Sequence, residues 1–155
     1  MILCDTRQQA GKHKNIDKYL RDKGIDTDRC ALYVGDYAIA NEQGRAVDTK
    51  QDVLELIQNI ISADHERFAR ECERAKLAGI RLLVLIEEPL PAGGLEAWEA
   101  PRAANGKPMT QVSGETLKRA MLTMTAKYGV KFRFCAAKDT GRVLVEYLTE
   151  GALPK

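Results

Sequence analysis

Two short segments carry acids and a base at spacings that chemistry can use: Gly35-Asp36, and Asp48-Thr49-Lys50 after residues 37–47. In an extended strand residues i and i+2 share a face, so the Asp48 carboxylate and the Lys50 ammonium project side by side. Hard carboxylate oxygens bind Mg²⁺, which keeps several waters and can bridge to a phosphate oxygen. An ion held there lowers the pKa of a bound water and stabilises charge developing at phosphorus. Lys50 would orient or deprotonate that water, or neutralise phosphate charge. Such a site cuts phosphodiesters. The same spacing is met in a solvated hairpin with a surface salt bridge, so the rest of the chain must decide between the two.

For Asp36 to join the other two, residues 30–40 (CALYVGDYAIA) and 45–50 (RAVDTK), both rich in β-formers, must pair as a hairpin with turn chemistry from Asn41 to Gly44. A three-residue loop, Asn41 to Gln43, pairs Ala40 with Gly44 and sets Asp36 opposite Asp48. A two-residue loop of Glu42 and Gln43 pairs Asp36 with Thr49 and turns it to the other face. The first register, or a bulged equivalent, is the one expected.

Other elements must hold this hairpin. Residues 2–5 read as a strand ending in Asp5, followed by a helix from Asn15 to Lys23 with Asn15 as N-cap and Gly24 just past its end. Val53, Leu56, Ile57, Ile60 and Ile61 form the apolar stripe of a helix packed on a core. A charged helix over 65–78 turns Phe68, Cys72 and Ala75 inward, and residues 80–86 (IRLLVLI) read as a strand buried on both faces, with Glu87 and Glu88 at its end. Residues 88–112 are one long irregular loop containing the only tryptophan, Trp98. A helix over 115–128 capped by Ser113, a strand over 130–135 and a helix over 140–148 complete the pattern. The order predicts an α/β fold, a central sheet covered by helices, as one domain over residues 1–155.

Composition sets the bounds. With 155 residues, 45% hydrophobic and 30% charged, the chain can bury a core without disulfides or a structural metal, and it is no disordered tail. The longest apolar run, Leu82 to Ile86, is far below the roughly 18 residues of a membrane span, and Asp5 interrupts the start too soon for a signal peptide. A cytoplasmic protein with no membrane partner is expected. Lys and Arg number 24 against 22 Asp and Glu, so net charge alone calls for no nucleic-acid partner. Four cysteines without a C-x-x-C pair and only two histidines, His13 and His65, argue against zinc.

Cys4-Asp5-Thr6-Arg7-Gln8 resembles the opening D-x-R-E motif of the XPF-type nuclease domain, a branch of the PD-(D/E)XK superfamily. Gly35-Asp36-Tyr37 resembles its G-D motif, and Val47-Asp48-Thr49-Lys50 stands where that family carries E-R-K. Glu66-Arg67-Phe68, the charged helix, the strand IRLLVLIEE and the closing β-α order extend the likeness over most of the chain. The resemblance implies a restriction-endonuclease-like mixed sheet with flanking helices and an Mg²⁺- or Mn²⁺-dependent DNA endonuclease, acting on branched or flapped DNA. It implies Asp36 and Asp48 as metal ligands with help from Asp5 and the Thr49 carbonyl, Lys50 as the catalytic lysine, and Arg7 as a phosphate or network partner. It also implies a homodimer or a DNA-binding partner protein. The sequence looks more like the short stand-alone bacterial and phage forms, so no helix-hairpin-helix region of the kind that follows the domain in eukaryotic subunits is expected.

Three residues depart from the family pattern: Gln8 for glutamate, Asp48-Thr49 for Glu-Arg, and Leu54 for an aspartate four residues after the lysine, with Asp52 as a shifted substitute. Gln8 favours the alternative of a DNA-binding or scaffold module that kept the fold and lost efficient catalysis. A protein acting on a small molecule, with Asp36 and Asp48 merely structural, is the other rival. DNA contacts are expected from Lys12 and Lys14 in the first basic cluster and from Arg102 and Lys107 in the long loop. Trp98 either stacks on a base or pins that loop. His65 is either a general base or a helix-start surface residue, and Glu87 either supports the metal site or ties off its strand.

Overall fold

The computed structural model describes residues 1–8 and 12–150. Its strands are β1 (Ile2–Asp5), β2 (Thr27–Cys30), β3 (Tyr37–Ile39), β4 (Glu42–Lys50), β5 (Arg81–Ile86) and β6 (Lys131–Phe134). Its helices are α1 (Lys14–Asp22), α2 (Val53–Ile60), α3 (His65–Leu77), α4 (Gly114–Tyr128) and α5 (Thr140–Glu150). The strands form one mixed sheet in the order β2-β1-β3-β4-β5-β6. Only β3 runs against the others: β1 pairs parallel with β2, β4 with β5 and β5 with β6, while β3 is antiparallel to both of its neighbours. This is the expected α/β architecture.

Alternation along β5 shows how the layers are built. Leu82, Val84 and Ile86 face a core with Leu56, Ile57, Phe68 and Leu117 from α2, α3 and α4. Leu83 and Leu85 face the opposite core with Ile16, Leu20, Val143 and Leu144 from α1 and α5. Each such side chain stabilises the fold by roughly 1.5–3 kcal/mol relative to exposure, which is why an uninterrupted apolar run marks a central strand. No helix among the described residues is long and apolar enough to cross a membrane.

The extended run expected over 30–40 is divided. β2 ends at Cys30, and residues 31–36 loop out before β3 begins. Side chains take the backbone donors of that segment: Leu32 N–H donates to Asp5 Oδ1 at 2.9 Å and Gly35 N–H to Glu71 Oε1 at 2.8 Å. Gly35 lies at φ +78°, and a Cβ there would stand 3.1 Å from the Val47 carbonyl oxygen. That double constraint is the physical reason for glycine ahead of Asp36. α1 also starts earlier than expected: His13, not Asn15, occupies its N-cap position, with no side-chain cap bond, and its ring turns inward to Thr49.

The hairpin has the first register at its functional end. Tyr37 pairs with Val47 and Ala38 with Ala46, which carries Asp36 opposite Asp48. The turn itself lies at Ala40 and Asn41 rather than over Asn41 to Gln43: a bulge brings Ile39 to Glu42, so Ala40 does not pair with Gly44. Because β1 and β4 run the same way, their last residues, Asp5 and Lys50, emerge at the same edge of the sheet as Asp36, which precedes β3. Ligands in α/β sheets bind outside such carboxyl ends.

Candidate active site

A cleft of about 620 Å³ opens at this edge, and Asp5, Arg7, Lys12, Asp36, Asp48, Thr49 and Lys50 all line it. Asp48 and Lys50 leave β4 on the side of α2 and α3. Lys50 Nζ is 2.7 Å from Asp48 Oδ2, with 7% and 8% of the two side chains exposed. The approach is too oblique to give Asp48 Oδ2 an aligned hydrogen bond. Lys50 also donates to Asn59 Oδ1 at 3.2 Å and sits 4.8 Å from the centre of the Phe68 ring. Asn59 is fixed in turn by donating to the Glu55 carbonyl at 2.8 Å.

Electrostatics here are those of ionisable groups crowded together and largely buried. Burial, reinforced by neighbouring Asp36, pushes the Asp48 carboxyl up to about 8 despite the opposing Lys50. Burial works against the Lys50 charge, but Asp48 and Asp36 outweigh it and hold the ammonium above the ordinary lysine range. Groups perturbed by burial and by specific charged neighbours in a cleft are a feature of functional sites.

Asp36 is held from β4. Thr49 N–H and Thr49 Oγ1–H both donate to Asp36 Oδ2, each at 2.8 Å. Asp36 N–H donates to the Val47 carbonyl at 2.8 Å, and its own carbonyl accepts from Asp5 N–H at 2.8 Å. The N–H and C=O of one strand residue face the same edge. The Thr49 carbonyl therefore faces the Asp36 side, beyond the first residue of β3. His13, 3% exposed, places Nε2 at 2.8 Å from Thr49 Oγ1, and burial pushes its ring below the ordinary histidine range.

Asp5, 4% exposed, is occupied by Arg7: Nε donates to Oδ2 at 2.8 Å and Nη2 to Oδ1 at 3.2 Å, while Leu32 N–H takes Oδ1 as well. Both Asp5 oxygens are engaged, and Arg7, anchored further on the Leu32 carbonyl at 2.8 Å, still has 64% of its side chain exposed. That pairing presents a guanidinium to the cleft.

The walls come from residues that sequence reasoning missed. α3 turns Arg67, Phe68, Glu71 and Arg74 to the cleft, with Asp64 just ahead of it, while Glu55, Gln58 and Asn59 come from α2. Their signal was a polar helical stripe beside the apolar one. The remaining expected residues lie elsewhere. Lys14, Arg102 and Lys107 are exposed and do not line the cleft. Trp98 is 8% exposed and donates its indole N–H to Glu88 Oε2 at 2.8 Å, which is the loop-pinning alternative; a ring so buried has no face for a base. Glu88 Oε1 meanwhile accepts from Val53 N–H, tying the loop to the start of α2. Asp52 spends its carboxylate as N-cap of α2, accepting from Glu55 N–H at 2.8 Å. Glu87 accepts from the Thr140 hydroxyl and so joins β5 to α5, and His65 is an exposed first residue of its helix.

Donor chemistry in the cleft suits a hard ion: two carboxylates, one with an oxygen lacking an aligned partner, and a backbone carbonyl. Among the described residues no three His, Cys, Asp or Glu side chains cluster in metal-holding fashion, so water and the Thr49 carbonyl would complete the shell. Cys4, Cys30, Cys72 and Cys135 are free.

Comparison with known proteins points the same way. The model of the ERCC4 domain matches residues 4–147. No curated protein matches the chain in sequence. XPF from Aeropyrum pernix superposes with a TM-score of 0.68 at 14% identity, over 97% of this chain and 64% of that one. XPF from Aeropyrum pernix in complex with DNA gives a TM-score of 0.65 at 16% identity, over 99% of this chain and 67% of that one. At such identities the likeness is one of fold, and the chain spans less than two thirds of the first of these proteins.

Proposed function

The chain belongs to the ERCC4 domain family, with the XPF-type nuclease fold, and from that premise we propose that it is a DNA endonuclease dependent on Mg²⁺ or Mn²⁺ and selective for branched or flapped DNA. The observation that carries this reading is the convergence of Asp36, Asp48 and Lys50 in one cleft rimmed by Arg7, Lys12, Arg67 and Arg74. Asp36, Asp48 and the Thr49 carbonyl would hold the ion. When bound it supplies charge for a phosphate oxygen and acidity to an attacking water.

The chain's own groups do the rest. Lys50, fixed by Asn59 and Asp48, points an ammonium at the phosphate or its incoming water. Arg7 is fastened by Asp5 at one end and exposed at the other, so it can hold a phosphate oxygen of the substrate without losing its orientation. Arg67 and Arg74 lie two turns apart on one face of α3 and offer a track for a phosphate backbone, a contact whose strength falls with salt. Asp5 acts in this reading chiefly as the clamp on Arg7, with any ligation added to that duty. DNA binding is supported by the family and by the fold shared with an XPF solved in complex with DNA. Further grip would come from Lys14, Arg102 and Lys107, from a second copy or from a DNA-binding partner, in the cytoplasm of a bacterial or phage-infected cell.

A second reading, a binding module without efficient catalysis, is favoured by Gln8, which brings no charge where the family motif has glutamate and leaves its amide nitrogen buried without a partner among the described residues. The deciding experiment is cleavage of fork, flap, four-way-junction and plain duplex DNA with Mg²⁺ or Mn²⁺ by wild type, Asp48→Asn and Lys50→Ala. Wild-type cleavage lost in both variants supports the nuclease. Tight binding without cleavage by wild type supports the module, and equal cleavage by all three removes this site from the account.

A further inference from the structure

We infer that His13 is a positioning residue for Asp36, acting through the side chain of Thr49; this rests on the reading of Asp36 as a metal ligand. The three side chains form a line from the start of α1, across β4, to the residue ahead of β3. Asp36 Oδ2 lies 2.8 Å from Thr49 Oγ1, and an ionised carboxylate has no hydrogen to give, so the hydroxyl hydrogen belongs to that bond. Thr49 Oγ1 is then an acceptor in its other contact, 2.8 Å from His13 Nε2. Nε2 must therefore carry a hydrogen, and the chain runs Nε2–H to Oγ1–H to Oδ2.

Each bond in such a chain polarises the next and fixes its direction. Asp36 needs that help because it stands outside the sheet, at the end of a loop set by Gly35. Among the described residues its carboxylate is oriented by Thr49 alone, through the backbone N–H and the hydroxyl. Without His13 the hydroxyl could rotate away from the carboxylate toward any other acceptor. The histidine ring is itself packed in: 3% exposed, it meets the buried Tyr37 ring edge-on, with centroids 6.3 Å apart and planes at 67°. Outer partners of metal-binding side chains are worth about 10–100-fold in metal affinity. One carboxylate oxygen held this way leaves Oδ1 of Asp36, which has no hydrogen bond among the described residues, as the atom to meet an ion.

Mn²⁺ binding by calorimetry tests this without recourse to activity. His13→Leu is expected to weaken Mn²⁺ binding about tenfold or more. His13→Gln, whose amide N–H can donate to Thr49 Oγ1, is expected to recover most of the loss. Thr49→Val keeps the backbone and loses the hydroxyl; it should match His13→Leu, and the double variant should lose no more than either single one. Asp36→Asn is the separate control: wild-type Mn²⁺ affinity in that variant overturns the underlying metal site. Loss in Asp36→Asn with wild-type affinity in His13→Leu and Thr49→Val overturns the role of His13 alone. Should His13→Leu fail to fold, nitrogen NMR of the metal-free wild type decides, since a His13 ring with its hydrogen on Nδ1 rather than Nε2 contradicts the chain.

Discussion

Lys50 Nζ stands 2.7 Å from Asp48 Oδ2, although the two residues are two apart on one strand and both are nearly sealed from water. A pair this close and this buried is coupled: a change at either group alters the environment of the other. Lys50→Met keeps the stem against Phe68 and removes the ammonium. It is expected to lower kcat by about 10²–10³, the usual scale for deleting one charge-stabilising group, while leaving DNA affinity nearly unchanged. Single-turnover kinetics alongside equilibrium DNA binding separate these effects.

The raised Asp48 carboxyl fixes the sign of a pH effect. An ordinary aspartate loses its proton near 3.8 and the folded one near 8, so between those values the metal-free native state holds a proton that the unfolded chain has released. Stability from this group is complete below the lower value and declines as pH rises through the upper one. In EDTA, Asp48→Asn should therefore gain stability relative to wild type as pH rises from 5 to 9, measured by urea unfolding. Mn²⁺ binding at pH 7 should release a proton, seen as a calorimetric heat that changes with the ionisation enthalpy of the buffer; no release at any pH contradicts the assignment.

Gly35→Ala tests the device that aims Asp36. At φ +78°, with its Cβ 3.1 Å from the Val47 carbonyl, alanine forces a shift costing about 1–3 kcal/mol. Because the next residue is Asp36, Mn²⁺ affinity should fall along with the unfolding midpoint. Gly24 has a positive φ as well but meets nothing within 4 Å, so Gly24→Ala should cost stability alone.

Asp52 separates capping from ligation. As N-cap of α2 it should cost about 1 kcal/mol when changed to alanine, within a range of roughly 0.5–2 kcal/mol, and Mn²⁺ affinity should stay at the wild-type level. A large loss of metal affinity would return Asp52 to the site as the shifted substitute for the family aspartate.

Trp98 reports on the long loop because it is the only tryptophan. Its buried indole, bonded to Glu88, should emit as a desolvated ring and should not be quenched when single-stranded DNA binds. Glu88→Gln should shift that emission toward the exposed range as the loop detaches from α2.

Residue types and their period make much of this legible in the chain itself. Two-residue alternation aligned Asp48 with Lys50, and the apolar run of β5 announced a central strand; the hairpin register held at Asp36, although the turn closes at Ala40 and Asn41 and a bulge restores the pairing. What stayed hidden was written in polar residues. β2 (TDRC) has no apolar alternation because it is an exposed edge strand, so its extended shape comes from pairing with β1. Arg67, Glu71 and Arg74 share the stripe of α3 that faces the cleft, a period visible in the chain but shared by any solvated helix face. His13 meets Thr49 only because α1 and β4 pack together, and no local spacing records a contact between residues 36 positions apart.

The proposed function requires that Asp36 and Asp48 hold a divalent ion beside Lys50. Anomalous diffraction from crystals of the protein soaked in Mn²⁺, recorded above the manganese edge, addresses it most directly. A single strong peak in contact with the carboxylates of Asp36 and Asp48 and with the Thr49 carbonyl is the predicted result. An empty cleft at Mn²⁺ concentrations that support DNA cleavage, or a peak held by other residues, would contradict it.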